Sequence, residues 1–86
     1  MADSVLGSFL DKPMSEPRLG NRLKVARAER NLSQEDLAKL AGVTRQTISS
    51  IETGQYCPST LLSFILSKQL GMPVEELFYL KETDYD

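Results

Sequence analysis

Residues 32–52, with the sequence LSQEDLAKLAGVTRQTISSIE, limit the possible fold more than any other part of the chain. Ser33 opens an S-x-x-D capping pattern, which marks the start of a helix. Gly42 ends that helix, because glycine enters the left-handed conformation after a helix without steric cost. Thr44 can then cap a second helix that runs to about Thr53. The stretch therefore predicts two short helices joined by a tight turn.

The second of these helices has a side-chain composition that suits close approach to another polar surface. Its apolar residues are few, Ile48 and Ile51, and most other positions carry hydrogen-bonding side chains: Arg45, Gln46, Ser49 and Ser50. A helix that needs only to be soluble would usually carry Glu and Lys there. The spacing fits a helix-turn-helix, with the small Ala38 where the helices cross and Gly42 in the turn.

The run SQEDLAKLAGVTRQTISSIETG resembles the phage repressor and Cro-type helix-turn-helix family of DNA-binding regulators, and the resemblance extends over about residues 19–78. It implies an all-α, five-helix, lambda-repressor-like domain over residues 18–80. Residues 1–17 then form an N-terminal arm and linker, and residues 81–86 form an acidic tail. The alternative for residues 32–52 is an α-hairpin in a helical bundle that does not contact DNA.

Three further helices are predicted around the helix-turn-helix. The first spans about residues 21–30. The fourth runs over about residues 60–70, between a Ser59 cap and a Gly71 stop. The last covers about residues 74–78 and opens with a proline, whose fixed φ suits the start of a helix.

The resemblance also implies which residues contact DNA. The second helix of the motif would enter the major groove, where each base pair shows a distinct pattern of donors and acceptors. Arginine can bind guanine there with two hydrogen bonds, and glutamine can bind adenine in the same way. The expected base contacts are Arg45, Gln46, Thr47, Ser49 and Ser50. The alternative for Thr47 is a position facing the turn, and the alternative for the two serines is a phosphate contact. The expected phosphate contacts are Gln34, Thr44, Arg22 and Gln55, with a solvated role as the alternative for the last two.

Two expectations concern the stability and assembly of the domain. The resemblance implies a partly buried ion pair between Arg27 and Glu52, since either charge would be costly to bury alone. A solvated Arg27 is the alternative. One recognition helix reads few base pairs, so a homodimer on palindromic double-stranded DNA is expected, with half-sites about 34 Å apart.

Apolar residues outside the predicted core stripes form the candidate dimer or arm interface: Leu61, Phe64, Ile65, Phe78 and Leu80. Exposed apolar patches usually mark a contact site. The occupant is either a second subunit or the N-terminal arm, whose residues Val5, Leu6, Phe9 and Leu10 have the spacing of a short helix. A disordered arm is the alternative.

The formal net charge of −2 is unevenly distributed along the chain. Residues 18–56 carry seven basic and four acidic side chains, a net charge of +3, whereas both ends of the chain are acidic. The distribution of charge is the relevant test for a nucleic-acid partner. The basic segment is the one that would face DNA, and the acidic ends should weaken non-specific binding.

Several classes of function are not expected. The chain has no histidine and a single cysteine, Cys57, so neither a Cys/His metal cluster nor an intrachain disulfide is expected. Without a nucleophile motif or a phosphate loop, we expect no enzyme activity and no cofactor. Without a long apolar run or a signal peptide, we expect a cytoplasmic protein that does not contact the membrane.

The sequence therefore predicts a sequence-specific transcriptional regulator, most simply a repressor that occupies a promoter. The alternative is a partner-dependent module on the same fold, such as an antitoxin or an accessory regulator, that acts mainly by protein–protein binding. The operator sequence and the regulated genes stay open.

Overall fold

The computed structural model describes residues 18–81 as five short helices and a two-stranded antiparallel sheet. In chain order the elements are β1 (Arg18–Asn21), α1 (Leu23–Glu29), α2 (Gln34–Ala41), α3 (Arg45–Glu52), α4 (Thr60–Leu70), α5 (Val74–Leu77) and β2 (Phe78–Lys81). The five-helix prediction is confirmed, and the sheet is an element that the sequence did not predict. The expected arm helix and the acidic tail beyond residue 81 lie outside the described residues.

The helices begin and end at residues whose chemistry suits these positions. At the start of α2, Ser33 Oγ accepts a hydrogen bond from the Asp36 amide at 2.9 Å, and the Asp36 carboxylate accepts one from the Ser33 amide at 3.0 Å. After α2, Gly42 adopts a φ of +76°, a conformation that glycine takes without a Cβ clash. Ser59 caps α4 at 3.1 Å, and this helix has the bounds that the sequence predicts.

The core is built from one side of every helix and the first residue of β2: Leu23, Ala26, Leu37, Ala38, Ile48, Ile51, Leu62, Leu66, Leu70, Leu77 and Phe78. Helices of four to eleven residues are not stable in isolation. Burial of a large apolar side chain contributes about 1.5–3 kcal/mol relative to exposure, so the shared core holds these helices in place. None of the helices between residues 18 and 81 is long and apolar enough to span a membrane.

The two strands join the beginning and the end of the described chain. Arg18 pairs with Lys81, and Gly20 pairs with Tyr79. The Tyr79 ring lies directly against Gly20. A Cβ at this position would come within 2.5 Å of a ring carbon, so only glycine leaves room for the ring. The Arg22 guanidinium carbon lies 4.6 Å from the centroid of the same ring. Tyr79 therefore packs the sheet against the residue that precedes α1.

Two sequence predictions near the sheet were wrong. Helix α1 begins at Leu23 rather than near residue 21, because the preceding residues pair as β1. Phe78 does not extend α5 or contribute to a dimer or arm interface: it begins β2 with extended backbone (φ −124°, ψ 145°) and is only 6 % exposed. Alternation along the strand directs its side chain into the core. Leu80 stays 69 % exposed.

Candidate nucleic-acid interface

Helix α3 presents a polar face opposite its two core residues. Ile48 and Ile51 are buried and fix the inner side of the helix. The residues on the other side, at helical spacing i, i+1, i+4 and i+5, are exposed or half-buried and all polar: Arg45, Gln46, Ser49 and Ser50. We refer to these four residues as the α3 polar face. The structure thus brings together four of the five residues predicted to contact bases.

The side chains of the α3 polar face have few partners inside the protein. Gln46 Nε2 donates to Ser50 Oγ at 3.3 Å, which is a long hydrogen bond. Arg45 makes no hydrogen bond or ion pair with another residue in the described range 18–81. A guanidinium group offers five donors in a planar fork, the geometry that suits a base edge or a phosphate. These donors are therefore available to an external partner.

Thr47 lies apart from the α3 polar face. The Thr44 hydroxyl caps α3 by accepting a hydrogen bond from the Thr47 amide at 3.1 Å, and the two hydroxyl oxygens are 3.0 Å apart. Thr47 is half-buried, whereas Thr44 is exposed at the N-terminus of the helix. Of these two hydroxyls, only that of Thr44 belongs to an exposed residue.

An ion pair fixes the C-terminal end of α3 to α1. Arg27 Nε donates to Glu52 Oε2 at 2.6 Å, and Arg27 Nη2 donates to Glu52 Oε1 at 3.2 Å. The two side chains are 13 % and 7 % exposed, so each charge is largely withdrawn from water and depends on the other. Arg27 Nη1 also donates to the Leu32 carbonyl at 2.8 Å, which ties the start of the helix-turn-helix to the same group.

Gln34 joins this ion pair from α2. Its Nε2 atom donates to Glu52 Oε1 at 3.1 Å, so the residue predicted to contact phosphate has one of its two amide hydrogens committed inside the protein. The resulting network connects α1, α2 and α3 through Arg27, Gln34 and Glu52. It therefore sets the orientation of α3 relative to the helix before it.

Asn21 makes a second side-chain contact with α3, and the sequence did not predict this contact. Its Nδ2 atom donates to the Ile51 carbonyl at 3.0 Å, and its Oδ1 atom accepts a hydrogen bond from the Leu23 amide at 3.1 Å. The Asn21 side chain therefore connects the first residue of α1 to the last turn of α3. The only signal in the sequence is an asparagine just before a helical pattern, a residue type favoured at helix starts.

The two remaining candidates for phosphate contact lie in different places. Gln55 is exposed in the loop after α3, where its backbone amide donates to the Ser50 carbonyl at 2.9 Å. Arg22 is exposed too, but its Nη1 atom donates to the Glu76 carbonyl at 3.0 Å and its guanidinium lies over Tyr79. Gln55 is thus close to the α3 polar face, and Arg22 is held against α5 and β2.

Comparisons with known proteins give independent information. The helix-turn-helix family model HTH_3 matches residues 23–77. An uncharacterised HTH-type transcriptional regulator of Methanocaldococcus jannaschii is 48% identical over 64 residues, which are 74% of this chain and 97% of the relative. The transcriptional repressor RstR of a cryptic CTXphi phage of Vibrio cholerae is 33% identical over 66 residues, which are 77% of this chain and 60% of the repressor.

A solved structure agrees with these matches. The crystal structure of the restriction-modification controller protein C.AhdI from Aeromonas hydrophila is similar with a TM-score of 0.59 and 34% sequence identity. The similarity covers 62% of this chain and 77% of the controller protein.

Proposed function

Since the chain belongs to the Cro/C1-type helix-turn-helix family of DNA-binding transcriptional regulators, we propose that it is a sequence-specific repressor that reads the major groove with α3. The observation that carries the proposal is the α3 polar face, which lies opposite the buried Ile48 and Ile51. The similarity to a phage repressor supports the direction of regulation. Occupation of a promoter is the simplest mechanism for a domain of this size.

The base contacts follow from the position of each side chain on α3. Arg45 and Gln46 are at the N-terminal end, which in this motif reaches the base edges first. Both are exposed and can form the bidentate contacts that distinguish guanine and adenine. Ser49 and Ser50 lie one turn later and are short, so they let the helix approach the groove closely. Thr47 contributes at most its methyl group to a thymine, since its hydroxyl meets that of Thr44.

Phosphate contacts would position the helix. The first backbone amides of a helix have no acceptor within that helix, so those that no cap residue accepts can bind a phosphate. Gln34 can donate its backbone amide and the second hydrogen of its side-chain amide, and Thr44 can donate its exposed hydroxyl. Gln55 can contact the same strand from the loop after α3. Arg22 would first have to leave the Glu76 carbonyl, so we rank it last.

We further propose that the repressor acts as a homodimer on a palindromic site. One α3 helix reads only a few base pairs, and two helices about 34 Å apart reach successive major grooves on one side of the duplex. The second candidate function is a partner-dependent regulator. The observation that favours it is the exposed apolar pair Leu61 and Phe64 on α4, which are 71 % and 59 % exposed.

The test is a selection of bound fragments from a random DNA library at about 150 mM salt, because affinities depend strongly on salt. Recovery of a palindrome with half-sites one helical turn apart would support the proposal that the protein binds DNA as a homodimer. Expression of the protein should then lower the output of a reporter gene whose promoter carries that site. Absence of enrichment by protein that is folded by circular dichroism would favour the partner-dependent function.

A further inference from the structure

Helix α4 is apolar on two sides, and only one of them packs in the core. Leu62, Leu66 and Leu70 are buried. On the other side, Leu61 and Phe64 are 71 % and 59 % exposed, and Ile65 is half-buried beside them. We call these three residues the outer face of α4. A helix that is apolar all round is normally covered all round, so this face is expected to have an occupant.

The area of the outer face limits what can cover it. A large aromatic side chain presents roughly 150–250 Å². At their observed exposure, Leu61 and Phe64 together offer on the order of 250 Å² of apolar surface. A stable dimer interface buries about 800 Å² on each subunit. The outer face is therefore too small to hold a second copy by itself, but a short apolar segment can cover it.

Such a segment of the same chain is attached nearby. A surface cleft of about 400 Å³ is lined both by Arg18, where residues 1–17 join the described chain, and by Cys57, which precedes Leu61 by four residues. Leu10 precedes Arg18 by eight residues, and an extended chain of that length spans roughly 26 Å. The chain between Leu10 and Arg18 is therefore long enough to cross this cleft and reach the start of α4.

The composition of that segment matches the outer face. Residues 5–10 contain four large apolar side chains, Val5, Leu6, Phe9 and Leu10, and no charge. The Methanocaldococcus jannaschii relative is matched over 97% of its own length, which accounts for 74% of this chain, so the rest of this chain has no counterpart in that relative. We propose that residues 5–10 bind the outer face of α4 within the same chain and cover Leu61 and Phe64.

A double-mutant cycle in the full-length chain tests the proposal. The segment variant is Leu6→Gln with Phe9→Gln, and the face variant is Leu61→Gln with Phe64→Gln. Glutamine is polar and a good helix former, so neither variant should prevent folding of the domain. Each variant should lower the Tm by roughly 5–10 °C. The combined variant should lower it little further, because the two pairs remove the same contact.

A matched control separates this effect from a general response to lost apolar surface. Val25→Gln on α1 replaces an apolar residue that is 54 % exposed, so its Tm effect should be the same with and without the segment variant. In ¹⁵N spectra, the segment variant should shift the amide signals of Leu61, Phe64 and Ile65 and leave that of Val25 in place.

Three results would overturn the proposal. An unchanged Tm in the face variant would mean that nothing in the chain covers the outer face. Additive losses in the combined variant would mean that the two pairs make separate contacts. A Tm that depends on protein concentration, together with a lower sedimentation coefficient for the face variant alone, would assign the face to a second copy.

Discussion

Arg45 and Gln46 are the residues on which sequence specificity should depend most. Replacing either by alanine should weaken binding to the selected site by about 1–3 kcal/mol and relax the preference at one base position, because a bidentate base contact is lost. Fluorescence anisotropy titrations against the selected site and its single-base variants would measure both effects.

The control for Arg45→Ala is Arg30→Ala, which removes the same charge from a residue beside Gly71 at the end of α4. That variant should weaken binding less, and by the same factor for every DNA sequence. If Arg45→Ala also weakened binding equally for all sequences, Arg45 would be a phosphate contact and not a base contact.

Glu52 accepts hydrogen bonds from Arg27 and Gln34, so its charge should matter more for stability than that of any exposed carboxylate. Glu52→Gln should lower the free energy of unfolding by about 3 kcal/mol, because it leaves the Arg27 charge largely buried without a counter-charge. Urea unfolding followed by circular dichroism would measure the change. Glu35→Gln, an exposed position on α2, should leave the midpoint almost unchanged.

A second variant tests whether the unpaired charge is the cause. Arg27→Met combined with Glu52→Leu removes both charges and should be more stable than Glu52→Gln alone. If the double variant were the less stable of the two, the loss in Glu52→Gln would have to come from packing or from the bond to Gln34.

At the scale of elements, the capping residues at the start of α2 should make the stability of the fold depend on pH. The hydrogen bond from the Ser33 amide lowers the pKa of Asp36 below its ordinary value. A carboxylate with a lowered pKa stabilises the fold above its unfolded pKa, and this contribution is lost as the pH falls through the folded pKa. The Tm of Asp36→Asn should therefore lie below that of the wild type at neutral pH, and the gap should narrow as the pH falls from about 5 to about 3.

Thermal unfolding across this pH range would measure the gap. Glu29→Gln is the control, since Glu29 is exposed at the end of α1 and takes part in no capping pair. At neutral pH the Tm of Glu29→Gln should stay close to that of the wild type, because this change removes no capping hydrogen bond. A gap for Asp36→Asn that stays constant down to pH ~3 would contradict the capping role of the carboxylate.

The helices could be predicted because their signals are local, and the sheet could not because its signal is not. Ser59 and Gly71 predict the start and the end of α4 from the sequence, and they cap the same helix in the structure. By contrast, each strand has only four residues, and β1 includes Gly20 and Asn21, which are residue types depleted in strands. The paired strands are about 60 residues apart in the chain, so no local pattern reveals them. Because the sheet was not predicted, Phe78 was wrongly expected to lie on the surface.

In the candidate site too, some features could be predicted from local sequence patterns and others could not. Helical periodicity alone predicts that Arg45, Gln46, Ser49 and Ser50 share one face, because a helix repeats every 3.6 residues. The bonds from Gln34 to Glu52 and from Asn21 to the Ile51 carbonyl depend on how α1, α2 and β1 pack around α3. Such bonds follow from tertiary packing, and a single sequence does not specify them.

At the scale of the whole molecule, charge is divided between the described domain and the rest of the chain. Residues 18–81 carry nine basic and six acidic side chains, whereas the other residues carry one basic and six acidic ones. The domain is thus +3 and the remainder −5, for a net charge of −2. Because Arg18 pairs with Lys81, both acidic segments join the domain at the same end of the sheet. Their field opposes the approach of a polyanion.

Neutralising the acidic tail should therefore increase non-specific DNA binding. The variant Glu82→Gln, Asp84→Asn, Asp86→Asn changes the net charge from −2 to +1. Affinity for an unrelated duplex should rise roughly 3–10-fold at about 50 mM salt and much less at about 200 mM, where exposed charges are screened. Affinity for the selected site should rise by no more than the same factor, since base contacts are unaffected. An unchanged affinity for the unrelated duplex at low salt would mean that the tail does not influence the field at the DNA-binding surface.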